Sequence, residues 1–209
     1  MEKIIYKSGS PASHAQRIDA FSDGVFAIVV TLLVLELRVP EISGAHISEG
    51  LRHGLQELFP KFISFVVSFF YICIYWYNHH QLFHLVKKID HGLFWLNSFF
   101  LLFLTFIPFP TALVGSYPND KVAVTCYGLA MLATAVSFVA MKIYIKYSGR
   151  LMKAASVQKI DIFYLLAGPF LYLVAIFLGL VNVKAAIAIY ILVPIIYFFA
   201  GSSSDEQRV

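Results

Sequence analysis

Charge is what this sequence has least of: 13% of its 209 residues are Asp, Glu, Lys or Arg, about half the share usual in soluble domains. The gaps are long. Histidine aside, no charged side chain occurs between Lys61 and Lys87, Asp90 and Asp120, Lys121 and Lys142, Asp161 and Lys184, or Lys184 and Asp205. Each gap holds about 20 residues or more, the length a helix needs to cross a hydrocarbon core, so a soluble globular fold is excluded. Cysteine is nearly absent as well. Cys73 and Cys126 stand alone in apolar stretches without Cys-x-x-Cys spacing, which excludes a disulfide framework and argues against thiol chemistry. No Gly-x-Ser-x-Gly elbow, phosphate loop or dinucleotide fingerprint occurs. An enzyme is therefore not expected, and neither is a cofactor.

What is present is an all-α membrane pattern. Five spans fall in the gaps, at approximately 62–85, 92–115, 122–141, 162–181 and 185–199. A sixth candidate, 17–37, differs from them because it carries Arg17, Asp19, Asp23 and Glu36. Met1–Gln16 is polar and lacks the apolar core of a signal peptide, so this first span is expected to remain in the mature protein. With six spans and an inner amino terminus, the inner segments hold Lys3, Lys7, Arg17, Lys87, Lys88, Lys142, Lys146, Arg150, Lys153, Lys159 and Arg208. The outer ones hold Arg38, Arg52, Lys61, Lys121 and Lys184. That bias places both termini in the cytoplasm. Topology thus accounts for the net charge of +4, and no nucleic-acid partner is needed to explain it.

Between the spans, Val39–Phe59 carries Leu51, Leu55 and Leu58 at helical spacing and reads as a short surface helix bracketed by Pro40 and Pro60. Lys146–Ile160 reads as a basic inner loop, and Ser202–Val209 as a disordered tail. Pro169 and Pro194 are expected to kink their helices, and Pro108–Pro110 to end or bend the third span. The whole chain, 1–209, reads as one six-span domain.

On a helical wheel of about 100° per residue, Arg17, Phe21, Gly24, Ile28, Thr31, Leu35 and Arg38 share one face of the first span. Asp19 and Asp23 share another. Charged groups inside a span turn to protein or water, so both faces need partners other than lipid. The first stripe admits two readings. It is either an ordinary helix–helix seam or, in a symmetric ring of copies, a set of stacked side-chain rings around an axis. In the second case Ile28 and Leu35 form apolar constrictions separated by a layer of Thr31 hydroxyls.

The run Arg17-Ile-Asp-Ala-Phe21-Ser22-Asp23, continuing through Ile28 to Thr31, resembles the Arg-x-x-x-Phe-Ser-Asp signature of the transmembrane protein 175 family of potassium channels. The resemblance extends to Tyr75-Trp76-Tyr77-Asn78-His79-His80, to Trp95-Leu96-Asn97 and to Pro108-Phe109-Pro110-Thr111, and it covers the chain as a single six-span repeat. It implies a prokaryotic-type homotetramer in the plasma membrane, with the first helix of each copy lining a central pore for potassium and related monovalent cations. It also implies that Ile28 forms the main constriction, followed by layers at Thr31 and Leu35. The carbonyl filter Thr-Val-Gly-Tyr-Gly of ordinary potassium channels is absent, so selectivity is left to side-chain rings and pore width.

Ser22 and Asp23 lie off the pore face and are expected in an internal polar network, because a buried carboxylate requires donors. Trp76, Asn97 and either His79 or His80 are the available donors. Asp23→Ala is accordingly expected to harm folding or assembly more than selectivity. The alternative function is a proton-coupled membrane transporter using Asp23 and the second-span histidines. His80 and His84, four apart, have metal-ligand spacing but no evident third ligand, so interfacial packing is expected there and no metal site.

Overall fold

The computed structural model describes residues 11–42, 47–148, 151 and 162–205, with side chains described outside 11–14, 162–165 and 198–205. The segment up to Ser10, most of the basic loop 146–160 and residues beyond Asp205 lie outside the described residues, while 202–205, expected in the tail, continue the last helix. Among the described residues every element is helical: α1 Pro11–Val34, α2 Ile47–Leu85, α3 His91–Phe106, α4 Pro108–Ser116, α5 Lys121–Tyr147, α6 Ile162–Val181 and α7 Val183–Asp205.

Sequence explains most of these boundaries. Asp90 caps α3, its carboxylate accepting from the Leu93 amide at 2.9 Å and from the Tyr144 hydroxyl at 2.9 Å. Asp120 caps α5 by accepting from the Val122 and Ala123 amides. Such caps satisfy amides that have no partner within the helix. Pro108 and Pro110 interrupt the third span at Ile107, yet α3 and α4 run on as one apolar stretch, His91–Ser116.

Pro60 does not end a surface helix. The leucine-bearing segment and the second span form one continuous α2 of 39 residues with Pro60 inside it; the lost hydrogen bond and ring clash of an interior proline are tolerated in long membrane helices by local adjustment. Three stretches, Ile47–Leu85, His91–Ser116 and Lys121–Tyr147, are long and apolar enough to cross a membrane. The apolar parts of α6 and α7, Leu166–Val181 and Val183–Tyr197, are shorter. α1 is not among the apolar spans because Arg17, Asp19 and Asp23 all fall within it.

The packing sets α1 apart. It lies against α2, α3 and α4, whereas α5, α6 and α7 pack on one another, with α5 also reaching α3 and α4, and α7 reaching α2. The core between these groups holds Phe26, Leu33, Ile72, Phe100, Leu104, Phe138 and Met141. Polar contacts cross it. Ser68 Oγ bonds Thr111 Oγ1 at 2.7 Å and Tyr127 Oη at 3.1 Å, and the Tyr71 hydroxyl donates to the Tyr190 carbonyl at 2.7 Å.

Where α5 approaches α6 and α7, Gly128 leaves no room for a side chain. A Cβ there would strike Tyr190 Oη and approach Ile176 Cγ1 to 2.7 Å. The Tyr190 ring is buried and its hydroxyl donates to the Val124 carbonyl at 3.3 Å, so it cannot swing aside freely. Gly128→Ala is therefore expected to destabilise the bundle by about 1–3 kcal/mol, read as an earlier thermal unfolding transition in detergent.

Candidate functional site

The bundle buries one face of α1 and leaves the other uncovered. Ser22, Phe26, Val29 and Leu33, spaced three and four apart, point inward, as expected for one side of a helix. The opposite stripe is the one selected by the wheel. Phe21 is 66% exposed, Ile28 60% and Leu35 66%, and Arg17, Gly24, Thr31 and Arg38 are exposed with them. Gly24 has no atom within 4 Å of where its Cβ would stand, so its small size serves no packing within the subunit. Leu35 lies one residue beyond the α-helix, in a final turn tightened by bonds from the Leu35 and Leu37 amides to the Leu32 and Val34 carbonyls.

Thr31 sits midway along this stripe. Its hydroxyl donates to its own helix, 2.8 Å from the Ile28 carbonyl and 3.1 Å from that of Ala27. With its proton engaged in this way, the oxygen keeps lone pairs available to a cation on the exposed side.

Behind α1 the expected single network is two. In the buried one, Asn97 Nδ2 donates to Ser22 Oγ at 3.0 Å and the Ser22 hydroxyl donates to the Ile18 carbonyl at 2.9 Å. The Asn97 carbonyl oxygen is left to accept from His79 Nε2 at 2.9 Å. The His79 ring is held by stacking on Phe83, with centroids 4.2 Å apart, and on Phe100, and by the edge of Phe26. Since Nε2 carries the proton of a neutral ring, Nδ1 presents a lone pair, and it faces Asp19 Oδ1 at 3.9 Å.

The second network is shallower. Trp76 Nε1 donates to Asp23 Oδ1 at 2.9 Å, and the indole stacks on His80, whose Nε2 is 3.1 Å from His84 Nε2. Ser22 and Asp23 enter different networks because adjacent helical residues point about 100° apart. His79 thus joins Asn97 and Ser22, while His80 stands beside Trp76 and the two carboxylates. Asp19 adds a residue to the site beyond those the sequence motif contains. Its four-residue spacing from Asp23 was the available signal.

A helical bundle with three stretches long and apolar enough to cross a membrane, and one polar-backed helix whose other face is open, belongs to the class of helical membrane proteins. Comparison with known proteins gives the family. Residues 17–108 match the profile described as endosomal/lysosomal potassium channel TMEM175. A potassium channel of Chamaesiphon minutus is 38% identical over 198 residues, 92% of this chain and 97% of that protein. One of Streptomyces collinus is 40% identical over 139 residues, 65% of this chain and 66% of the relative. The crystal structure of a lysosomal potassium-selective channel TMEM175 homolog from Chamaesiphon minutus matches with a TM-score of 0.80 at 37% identity, covering 90% of this chain and 98% of that one. The chain belongs to the TMEM175 family, whose members are ion channels and not enzymes.

Proposed function

We propose that four copies of this chain, each a single six-span unit, surround an axial pore lined by α1 and conduct potassium and related monovalent cations passively. The observation that carries this reading is the uncovered stripe Phe21, Gly24, Ile28, Thr31 and Leu35. It follows the helix as one continuous strip, with a hydroxyl between apolar side chains and a guanidinium at each end. Four-fold symmetry turns the strip into rings. Those of Ile28 and Leu35 are narrow and apolar and gate by excluding water, and the ring of Thr31 oxygens replaces part of a potassium ion's hydration shell. Lipid covers the outward faces of α5, α6 and α7. The setting is the plasma membrane of a prokaryote, with both termini in the cytoplasm.

Passive conduction is preferred to a proton-coupled transporter because Asp23 is turned away from the Ile28–Thr31 stripe and is bonded to Trp76. A proton carrier at Asp23 would have no direct route to that axis. Native mass spectrometry and cross-linking in mild detergent test the assembly: tetramers are expected, and a distribution of monomers and dimers alone overturns it. Unitary potassium currents from the purified protein in a planar bilayer separate channel from transporter.

A further inference from the structure

Two pairs of residues, each four apart, meet at the seam between α1 and α2: Asp19 with Asp23, and His80 with His84. One ligand atom each from Asp19, Asp23 and His80 lies within 4.8 Å of the others, and the Nε2 atoms of His80 and His84 are 3.1 Å apart. The third ligand that the histidine spacing lacked in the sequence is thus supplied by the neighbouring helix. Neither carboxylate forms an ion pair with lysine or arginine among the described residues, although in the proposed six-span arrangement both lie in a membrane span, where charge demands compensation.

A separate observation points the same way. Asp19 Oδ1, His79 Nδ1 and His80 Nδ1 are buried and reach no hydrogen-bond partner. His79 is wholly buried and lies outside the cluster. With its Nε2 proton committed to Asn97, its Nδ1 lone pair is aimed at Asp19 Oδ1, 3.9 Å away. Two facing acceptors cannot bond each other, and a positive charge at Asp19 relieves their opposition.

We propose that Asp19, Asp23, His80 and His84 hold a divalent transition-metal ion of the zinc type, joining α1 to α2. Imidazole ligands select such ions over magnesium or calcium, which prefer all-oxygen sites. Bonds of 2.0–2.2 Å around a tetrahedral ion set ligand atoms about 3.4 Å apart. The two histidine nitrogens already have nearly that separation, the ligand atoms of Asp19, Asp23 and His80 lie within 4.8 Å of one another, and side-chain rotation, including that of the exposed His84, is needed to bring the four around one ion. The two aspartates neutralise the dication, so the loaded site carries no net charge into the membrane. By tying α1 to α2, the ion favours the conformation in which these side chains meet.

The test is titration of the purified full-length protein in mild detergent with cobalt(II). One ion per subunit is expected, with the intense visible bands of a four-coordinate site, displaced by zinc. His80→Ala and His84→Ala should each weaken binding by about tenfold or more. His84 is exposed, so its variant does not endanger the fold. Removing His53 and Glu57, an exposed pair 3.5 Å apart on the first part of α2, should leave binding unchanged. Absence of cobalt binding by the wild type, or retention of wild-type affinity in both histidine variants, overturns the proposal. The first result would assign compensation of the carboxylates to Arg17 of a neighbouring copy. A second arm rests on the pore reading: zinc should alter potassium flux from liposomes in the wild type and not in His84→Ala. Binding without any change in flux upholds the site and overturns its coupling to the pore helix, and the binding arm stands whether or not the pore reading does.

Discussion

Replacing Ile28 with Asn is expected to raise potassium flux from liposomes about tenfold at matched protein content, the effect of removing about 1.4 kcal/mol from the barrier. In a ring of four isoleucines, an ion must shed or confine its water against hydrocarbon, and that cost responds to polarity more than to size. Asparagine keeps the ring wet. Discrimination between potassium and sodium should fall at the same time, since a hydrated passage no longer requires the ion to exchange water for protein oxygen. Thr31→Val should lower potassium preference even where conduction persists, because it removes the oxygens whose lone pairs face away from their own helix. Leu35→Ala should act more weakly, at a secondary layer. The structure sharpens the test. Ile28 is 60% exposed in the subunit, so asparagine there buries no amide within the fold and should leave the bundle intact. If the stripe is instead a packing seam between copies, Ile28→Asn destabilises the assembly and gives no larger current. Unchanged or reduced flux from well-folded tetramers would sink the pore assignment.

The stripe was legible in the sequence for a simple physical reason. Helical period fixes which side chains share a face, so Phe21, Gly24, Ile28, Thr31 and Leu35 could be grouped without knowing the fold. What period cannot tell is which face the bundle covers, because that depends on where α2 and α3 dock. The two histidines show the same limit. His79 and His80 differ only by a turn of about 100°, and docking against Phe83 and Phe100 decides that His79 is the buried one. Pro60 misled because local rules place a break at proline, whereas α2 continues through it. The link between Asp19 and His79 was hidden altogether, since it spans two helices and depends on their relative rotation.

Asn97→Ala is expected to destabilise the protein more than Asp23→Ala, which changes the weight that the sequence placed on the signature aspartate. Asn97 joins two buried groups, accepting from His79 and donating to Ser22, and all three side chains are essentially inaccessible to solvent. Truncation removes both bonds and strands the His79 Nε2–H in an aromatic cage. Each buried polar group left without a partner costs about 1–3 kcal/mol, so a loss of about 3 kcal/mol is expected, with a small cavity adding to it. Asp23→Ala removes one bond, from Trp76 Nε1. Trp76 is 44% exposed in the subunit, so its indole N–H can find another acceptor, and the loss should be nearer to the 0.5–1.5 kcal/mol of an ordinary hydrogen bond. In metal-free protein, removing one of two neighbouring carboxylates also relieves repulsion at Asp19, which offsets part of that loss. Thermal unfolding of both variants in the same detergent gives the order directly. If Asp23→Ala unfolds as early as Asn97→Ala or earlier, Trp76 and Asp23 are covered in the assembly by a neighbouring copy, and the half-exposed network belongs to the subunit interface.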